Sequence, residues 1–157
     1  MAQKPAPIDH KRLPRHIAVI MDGNGRWAKR EGVSRAAGHE AGAKSVRAII
    51  EACRELERIE VLSLYAFSTE NWQRSKLEVN ALFRLLSKYI TIELEAIHKE
   101  NIRVSIMGRM DGLPKKAMTD LRHCIDRTQN NTAMVLNVAI NYGGRAEIAD
   151  AAKRIAE

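Results

Sequence analysis

"IAVIMDGNGRWAKR", residues 17–30, decides how the rest of the chain is read. Five apolar residues, including the β-branched Ile17, Val19 and Ile20, run without interruption into Asp22, and two glycines, an asparagine, an arginine and a tryptophan follow. A short apolar run closed by turn residues is the pattern of a buried strand. This one delivers a single carboxylate and a glycine hinge to its carboxyl end.

Two readings of Asp22-Gly23-Asn24-Gly25-Arg26-Trp27 stand side by side. In the first it is a tight turn, with Gly23 and Gly25 taking positive φ and Asp22 or Asn24 capping the next helix. In the second, backbone N–H groups bared by the glycines approach an anion at a helix start, and Arg26 adds charge. A diphosphate fits that cradle. Asp22 would repel it unless a divalent cation lay between them, so the same geometry implies Mg²⁺. The chain has no G-x-x-x-x-G-K-[ST], which excludes an ordinary nucleotide P-loop.

Working outward, three more apolar runs, residues 61–67, 102–107 and 134–140, repeat the strand pattern. Helical periodicity fills residues 38–56, 77–99 and 113–128 and resumes from 144 to the end. In the second of these, Val79, Leu82, Phe83, Leu86, Tyr89, Ile90 and Ile97 mark the side that lies on the sheet. Regular alternation of strand and helix predicts an α/β fold, a parallel sheet with helices on both faces. Ligands of such sheets gather at the carboxyl ends of the strands. Three polar loops meet there: Asp22 to Arg26, "SLYAFSTENWQRS" ending at Ser75, and "NYGGR" ending at Arg145.

Composition narrows the partners. With 157 residues and 45% hydrophobic content, one domain with a real core is expected. The formal charge of +7 favours anionic partners of any kind. Two Trp, three Tyr and two Phe, scattered rather than interleaved with basic residues, make no base-stacking platform and argue against nucleic acid. Cys53 and Cys124 lack the spacing of a zinc knuckle or a disulfide framework, which points to a reducing cytoplasm. Residues 1–14, with Pro5, Pro7 and Pro14 among charges, read as a flexible tail without the apolar core of a signal peptide, leaving residues 15–157 as the domain. The uncharged, largely apolar stretch at residues 132–144 falls short of the roughly 20 residues of a membrane span.

Two other segments carry candidate chemistry. In "SRAAGHEAG", Arg35 and His39 are four apart and share a face if the helix starts that early, placing two donors beside the anion; a solvated basic patch is the plainer reading. Ala41, Ala43, Val46, Ile49 and Ile50 then form an apolar strip, read first as core. In Ser68-Thr69-Glu70-Asn71-Trp72-Gln73-Arg74, a simple capping turn competes with a site in which Ser68 and Asn71 handle a proton or orient substrate and Arg74 binds phosphate. The tryptophan costs more apolar exposure than a turn needs.

"MDGNGRWAKR", "RAAGHEAG", "YAFSTENWQR" and "LNVAINYGGRAEI", in this order, resemble the cis-prenyltransferases of the undecaprenyl diphosphate synthase kind, from about residue 15 to 157. The resemblance implies Mg²⁺-dependent condensation of farnesyl diphosphate with isopentenyl diphosphate to a long cis-polyprenyl (undecaprenyl) carrier lipid for cell-wall synthesis, in a cytoplasmic homodimer touching a membrane surface at product release. It makes Asp22 the metal ligand and essential acid, and Asn71 the second catalytic residue, with Ser68 beside it. Gly23, Asn24, Gly25, Arg26, Arg35, His39 and Arg74 become diphosphate binders. Trp27, Thr69, Glu70 and Trp72 fall in the substrate-binding motifs, and Ala43 and Leu85 in the lining of a tunnel for the growing chain.

Two departures accompany it. Ser75 stands where many relatives have proline. Family members also continue past the point matching Glu157 with two further strands and an R-x-x-G-E-x-R-x-S motif, which supplies isopentenyl diphosphate binding, a metal-binding glutamate shared across the dimer, and much of the dimer interface. The chain thus reads as the N-terminal part of one cis-prenyltransferase domain, with four of six strands and an unpaired edge. An allylic site without full catalysis is the expectation. The competing reading is a non-catalytic fragment or scaffold that binds prenyl diphosphate without turnover; a basic nucleic-acid module ranks last.

Overall fold

The computed structural model describes residues 8–157. Four parallel strands, β1 (His16–Ile20), β2 (Val61–Ser68), β3 (Ile102–Met107) and β4 (Met134–Tyr142), form one sheet in the order β1-β2-β4-β3. Between them run α1 (Asn24–Arg30), α2 (Arg35–Glu55), α3 (Lys76–Lys99) and α4 (Lys115–Thr128), and α5 (Gly144–Ala156) closes the chain. The strand-helix alternation expected from the sequence is therefore present, as is a parallel sheet flanked by helices.

The two longest helices each start at a serine cap. Ser34 caps α2 by accepting from the Ala37 N–H at 3.2 Å, and Ser75 caps α3 by accepting from the Glu78 N–H at 3.3 Å. Serine in place of proline at position 75 therefore has a local use. The α2 cap starts that helix at Arg35, early enough to put Arg35 and His39 one turn apart on it.

The core gathers on one face of the sheet. Cys53 of α2, Leu94 of α3 and Cys124 of α4 pack with Leu62, Leu64, Ile102, Val104, Met134 and Leu136, all from alternate positions of the strands. A second cluster joins Phe67 and Ile140 to Phe83 of α3 and Leu121 of α4. The three long helices thus share a face, which corrects the expectation of cover on both. On the other face, Ile20 is 74% exposed, and a polar row links His16, Ser63 and Asn137, with His16 Nε2 2.8 Å and Asn137 Nδ2 3.2 Å from Ser63 Oγ.

Other expectations are also corrected. β1 is an edge strand whose residues alternate between half-buried and exposed, because only β2 pairs with it. A helix, α1, follows the first loop directly, where the sequence suggested only a junction. Its cap is Gly23, at φ +100° and without a side-chain bond, so neither Asp22 nor Asn24 caps it. Gly25 lies within the helix and does not take positive φ. Residues 1–7 of the expected tail lie outside the described residues. From there on the chain is tied down: Asp9 caps a short 3₁₀ turn (His10–Arg12), Leu13 packs on the core, and the Arg58 Nε donates to the Leu13 carbonyl at 2.8 Å.

Candidate functional site

A cavity of about 600 Å³ lies between α2, α3 and the sheet. Its upper rim, at the carboxyl ends of β1 and β2, is built by Asp22, Gly23, Asn24 and Gly25 from the first loop and by Asn71 and Arg74 from the second. Arg35 and His39 close the rim from the first turns of α2. Below it the walls are mainly apolar: Ala43, Val46 and Ile50 of α2 face Leu82, Leu85, Leu86 and Ile90 of α3 over Leu64, Ala66, Val138 and Ile140 of the sheet, with Arg47, Glu51 and Glu93 also on the lining. Ala43 and Leu85 thus take the lining positions that the resemblance implied, and the α2 strip borders a void as well as a core.

The rim is rich in donors. The first-turn N–H groups of α1 have no partner within that helix, and Gly23 brings the chain into it at positive φ. Gly25 lies against Arg35: a Cβ there would meet the guanidinium Nε at 3.3 Å. Asp22 is exposed, accepting from its neighbour Gly23 N–H at 2.5 Å and pairing with Arg26 at 3.0 Å. Arg26 itself does not line the cavity.

His39 is held between these groups. Its Nδ1 lies 3.4 Å from the Asn24 amide nitrogen, and its Nε2 is buried with no partner. Burial pushes the imidazole below its ordinary pKa; nearby Glu78 pulls it up, while Arg35 and Arg74 push it down further. A buried ring nitrogen without a partner is costly unless a ligand meets it.

Glu78, which the sequence reading passed over, organises the two rim arginines. Its carboxylate, mostly shielded from solvent, takes Arg35 Nε at 3.3 Å and Arg74 Nη1 at 2.9 Å. One signal was available, since Arg74 and Glu78 are four apart across the start of a helix. The contact with Arg35 has no local signal at all. Gly38 and Gly42 were also missed as packing residues: a Cβ on Gly38 would sit 2.4 Å from the Asn24 carbonyl oxygen, and one on Gly42 would sit 2.6 Å from the Asn24 Oδ1. These two glycines, one turn apart, let α1 press its cradle onto α2.

The second loop is a 3₁₀ turn (Thr69–Gln73). Asn71 Oδ1 accepts from the Ser68 N–H at 3.1 Å in a capping box, and the residue lines the cavity rim. The Glu70 carboxyl is held below its usual range chiefly by the Ser68 hydroxyl, with Thr69 and Arg145 adding to the effect. Trp72 stacks edgewise on Phe67 at 5.1 Å and donates its Nε1 to Asn141 Oδ1 at 2.7 Å. It therefore buttresses the wall from behind, and the third loop joins the second rather than the rim. Among the predicted residues, Trp27, Ser68, Thr69, Glu70, Trp72 and Arg26 do not line the cavity, while the other eight do.

Among the described residues no three His, Cys, Asp or Glu side chains cluster to cage a metal. A single exposed carboxylate beside an anion cradle still suits Mg²⁺, which is commonly held by one or two carboxylates with phosphate oxygens and water. Asp22 is that carboxylate.

A family model described as "Putative undecaprenyl diphosphate synthase" matches residues 20–157. The chain belongs to that family, the cis-prenyltransferases. The isoprenyl transferase of Heliobacterium mobile is 52% identical over 149 residues, 95% of this chain and 57% of the relative. That of Shouchella clausii is 47% identical over 155 residues, 99% of this chain and 60% of the relative. Among solved structures, lavandulyl diphosphate synthase from Lavandula x intermedia, in complex with dimethylallyl diphosphate, superposes with a TM-score of 0.87 at 33% identity, over 91% of this chain and 61% of its own. The chain thus spans about three fifths of the length of the cis-prenyltransferases it matches.

Proposed function

We propose that this chain carries the allylic half of a cis-prenyltransferase site: the rim holds the diphosphate of a prenyl diphosphate such as farnesyl diphosphate, and the apolar cavity takes its tail. The carrying observation is the juxtaposition of donors with an apolar shaft. Gly23 to Gly25, Arg35, His39 and Arg74 ring one mouth of a cavity whose walls below them are mainly apolar, aliphatic with Phe67 and Phe83. An anion site alone would need no shaft.

In the whole protein the reaction is prenyl chain elongation with isopentenyl diphosphate, and undecaprenyl diphosphate is the proposed product. As the allylic carbon–oxygen bond breaks, the electron pair leaves with the diphosphate, and the rim donors gain strength as that charge develops. Asp22 would hold Mg²⁺ here, and the ion when bound supplies charge neutralisation to the leaving group. Arg35 and Arg74 are preset by Glu78 and need little reordering. His39 Nε2 donates to the anion from its buried position. Asn71 orients rather than removes a proton: an amide is a poor base, and its oxygen is already committed to the Ser68 N–H. Glu70, held well ionised, is likewise a weak acceptor.

Calorimetric titration of the chain with farnesyl diphosphate tests the binding half, with inorganic diphosphate as the comparison. Binding of the prenyl ligand at least tenfold tighter is expected, and equal affinity overturns the assignment of the shaft. Incorporation of labelled isopentenyl diphosphate into lipid-extractable product, with Asp22→Ala as control, tests turnover. A second reading is binding without turnover by these 157 residues alone, which span about three fifths of the relatives' length. Farnesyl diphosphate binding with no incorporation selects it. A homodimer, cytoplasmic residence and contact with a membrane surface at product release belong to the same proposal for the whole protein.

A further inference from the structure

We infer that Asn24 is a positioning residue that fixes the ring tautomer of His39, so that Nε2 carries the proton that meets the anion at the rim; this rests on the prenyl diphosphate reading. Asn24 is the cradle residue whose side chain has no local task. It opens α1, yet the cap is Gly23, without a side-chain bond. Among the described residues its amide has one hydrogen-bond partner, His39 Nδ1, 3.4 Å from Asn24 Nδ2.

The amide is held in a slot. A Cβ on Gly42 would sit 2.6 Å from Asn24 Oδ1, 2.8 Å from Nδ2 and 2.9 Å from Cγ, so the bare backbone of α2 at that position faces the whole group. One turn earlier, Gly38 admits the Asn24 carbonyl in the same way. Residues three apart share a helix face, and His39, three before Gly42, meets the same amide.

The count of protons then decides the tautomer. A neutral imidazole has one N–H and one lone pair, and the hydrogen bond made by one nitrogen sets the state of the other. His39 Nε2 is buried with no partner inside the protein, at a rim shared with Arg35 and Arg74. With the proton on Nδ1, Nε2 would turn a lone pair on the oxygens of an anion, and Nδ1–H would face the amide N–H of Asn24. With the proton on Nε2, both contacts become attractive: Nε2–H donates to the anion, and Asn24 Nδ2 donates to Nδ1. The ring does this uncharged, because burial lowers its pKa, Glu78 only partly offsets that, and Arg35 and Arg74 lower it further. A carboxylate in the same slot, with no N–H to give, would select the opposite tautomer.

The test labels the histidines of the full chain with ¹⁵N and reads the one-bond and two-bond ¹H–¹⁵N correlations of His39 near pH 8.5, about two units above the ordinary histidine pKa. His39→Gln assigns the signal among the five histidines. The native ring should show a protonated Nε2 and an unprotonated Nδ1, and saturating farnesyl diphosphate should shift Nε2 while that pattern persists. Asn24→Asp should move the proton to Nδ1. Asn24→Leu, of similar size but without a donor, should give the averaged shifts of a mixed ring. If circular dichroism shows that one variant has lost its helices, the other decides. A proton on Nδ1 in the native chain, or the native pattern kept in a folded variant, overturns the role of Asn24. These spectra are read on the free chain and so stand apart from the binding assay. A chain with the expected tautomer that binds no prenyl diphosphate overturns the diphosphate reading, and the purpose of the lock with it.

Discussion

At the scale of single residues, His39 and Asp22 carry consequences that separate their roles. His39 is pushed below its ordinary pKa mainly by burial. The unfolded chain therefore takes up a proton near pH 6.5 that the folded chain refuses until lower pH, and stability falls as pH drops through that window. Thermal melts between pH 7.5 and 5 should show a declining Tm, and His39→Gln should flatten that decline. An unchanged slope in the variant would place the proton uptake elsewhere. Asp22 acts through charge. With Mg²⁺ present, Asp22→Asn should weaken farnesyl diphosphate binding about tenfold, or about 1.4 kcal/mol. With the metal chelated the sign should reverse, because the carboxylate then only repels the anion and occupies Arg26. The same sign in both conditions would remove Asp22 from the metal's coordination.

At the scale of elements, the contact of α1 with α2 holds the cradle together. Gly38→Ala would place a Cβ 2.4 Å from the backbone oxygen of Asn24, a clash with main chain rather than with a flexible tip. The expected cost is about 1–3 kcal/mol, as for overpacked cores, together with loss of diphosphate affinity as α1 lifts. Gly144→Ala, where nothing lies within 4 Å and φ is not positive, should be neutral or slightly stabilising in the first turn of α5. Urea melts of the two variants make the comparison, and a neutral Gly38→Ala would show that α1 does not depend on this seam. The pair also explains what was legible in advance. Four strands and the four helices other than α1 announced themselves, because β-branched runs and 3.6-residue periodicity are local signals. The seven residues of α1 were too short to show a period, and its glycine cap has no side chain to read. The partners of Gly38, Gly42 and Glu78 lie across the fold. Their roles depend on where α1 and the second loop land, which no window of sequence contains. β1 read as buried because composition reports apolarity, whereas its edge position is decided by strand order.

At the scale of the molecule, the cavity means that the core is unfinished. α2 and α3 are bridged at three levels by ion pairs whose basic partners are exposed, each worth only about 0–1 kcal/mol, rather than by interdigitated side chains along the shaft. A ligand tail would supply the missing apolar contacts, so the two helices should tighten only when a tail enters. Hydrogen exchange read on peptides covering residues 40–54 and 82–97 distinguishes this from closure of the rim. With saturating farnesyl diphosphate, protection in both peptides should rise several-fold, and the heat-capacity change of binding should be clearly negative. Inorganic diphosphate, which engages the rim alone, should protect residues around Gly23–Arg26 and leave the lower halves of both helices as they were. Equal protection of α2 and α3 by the two ligands would mean that the clamp is set by charge at Arg35, Glu78 and Arg74. The shaft would then be a passive void, and tail length would have no purchase on the fold.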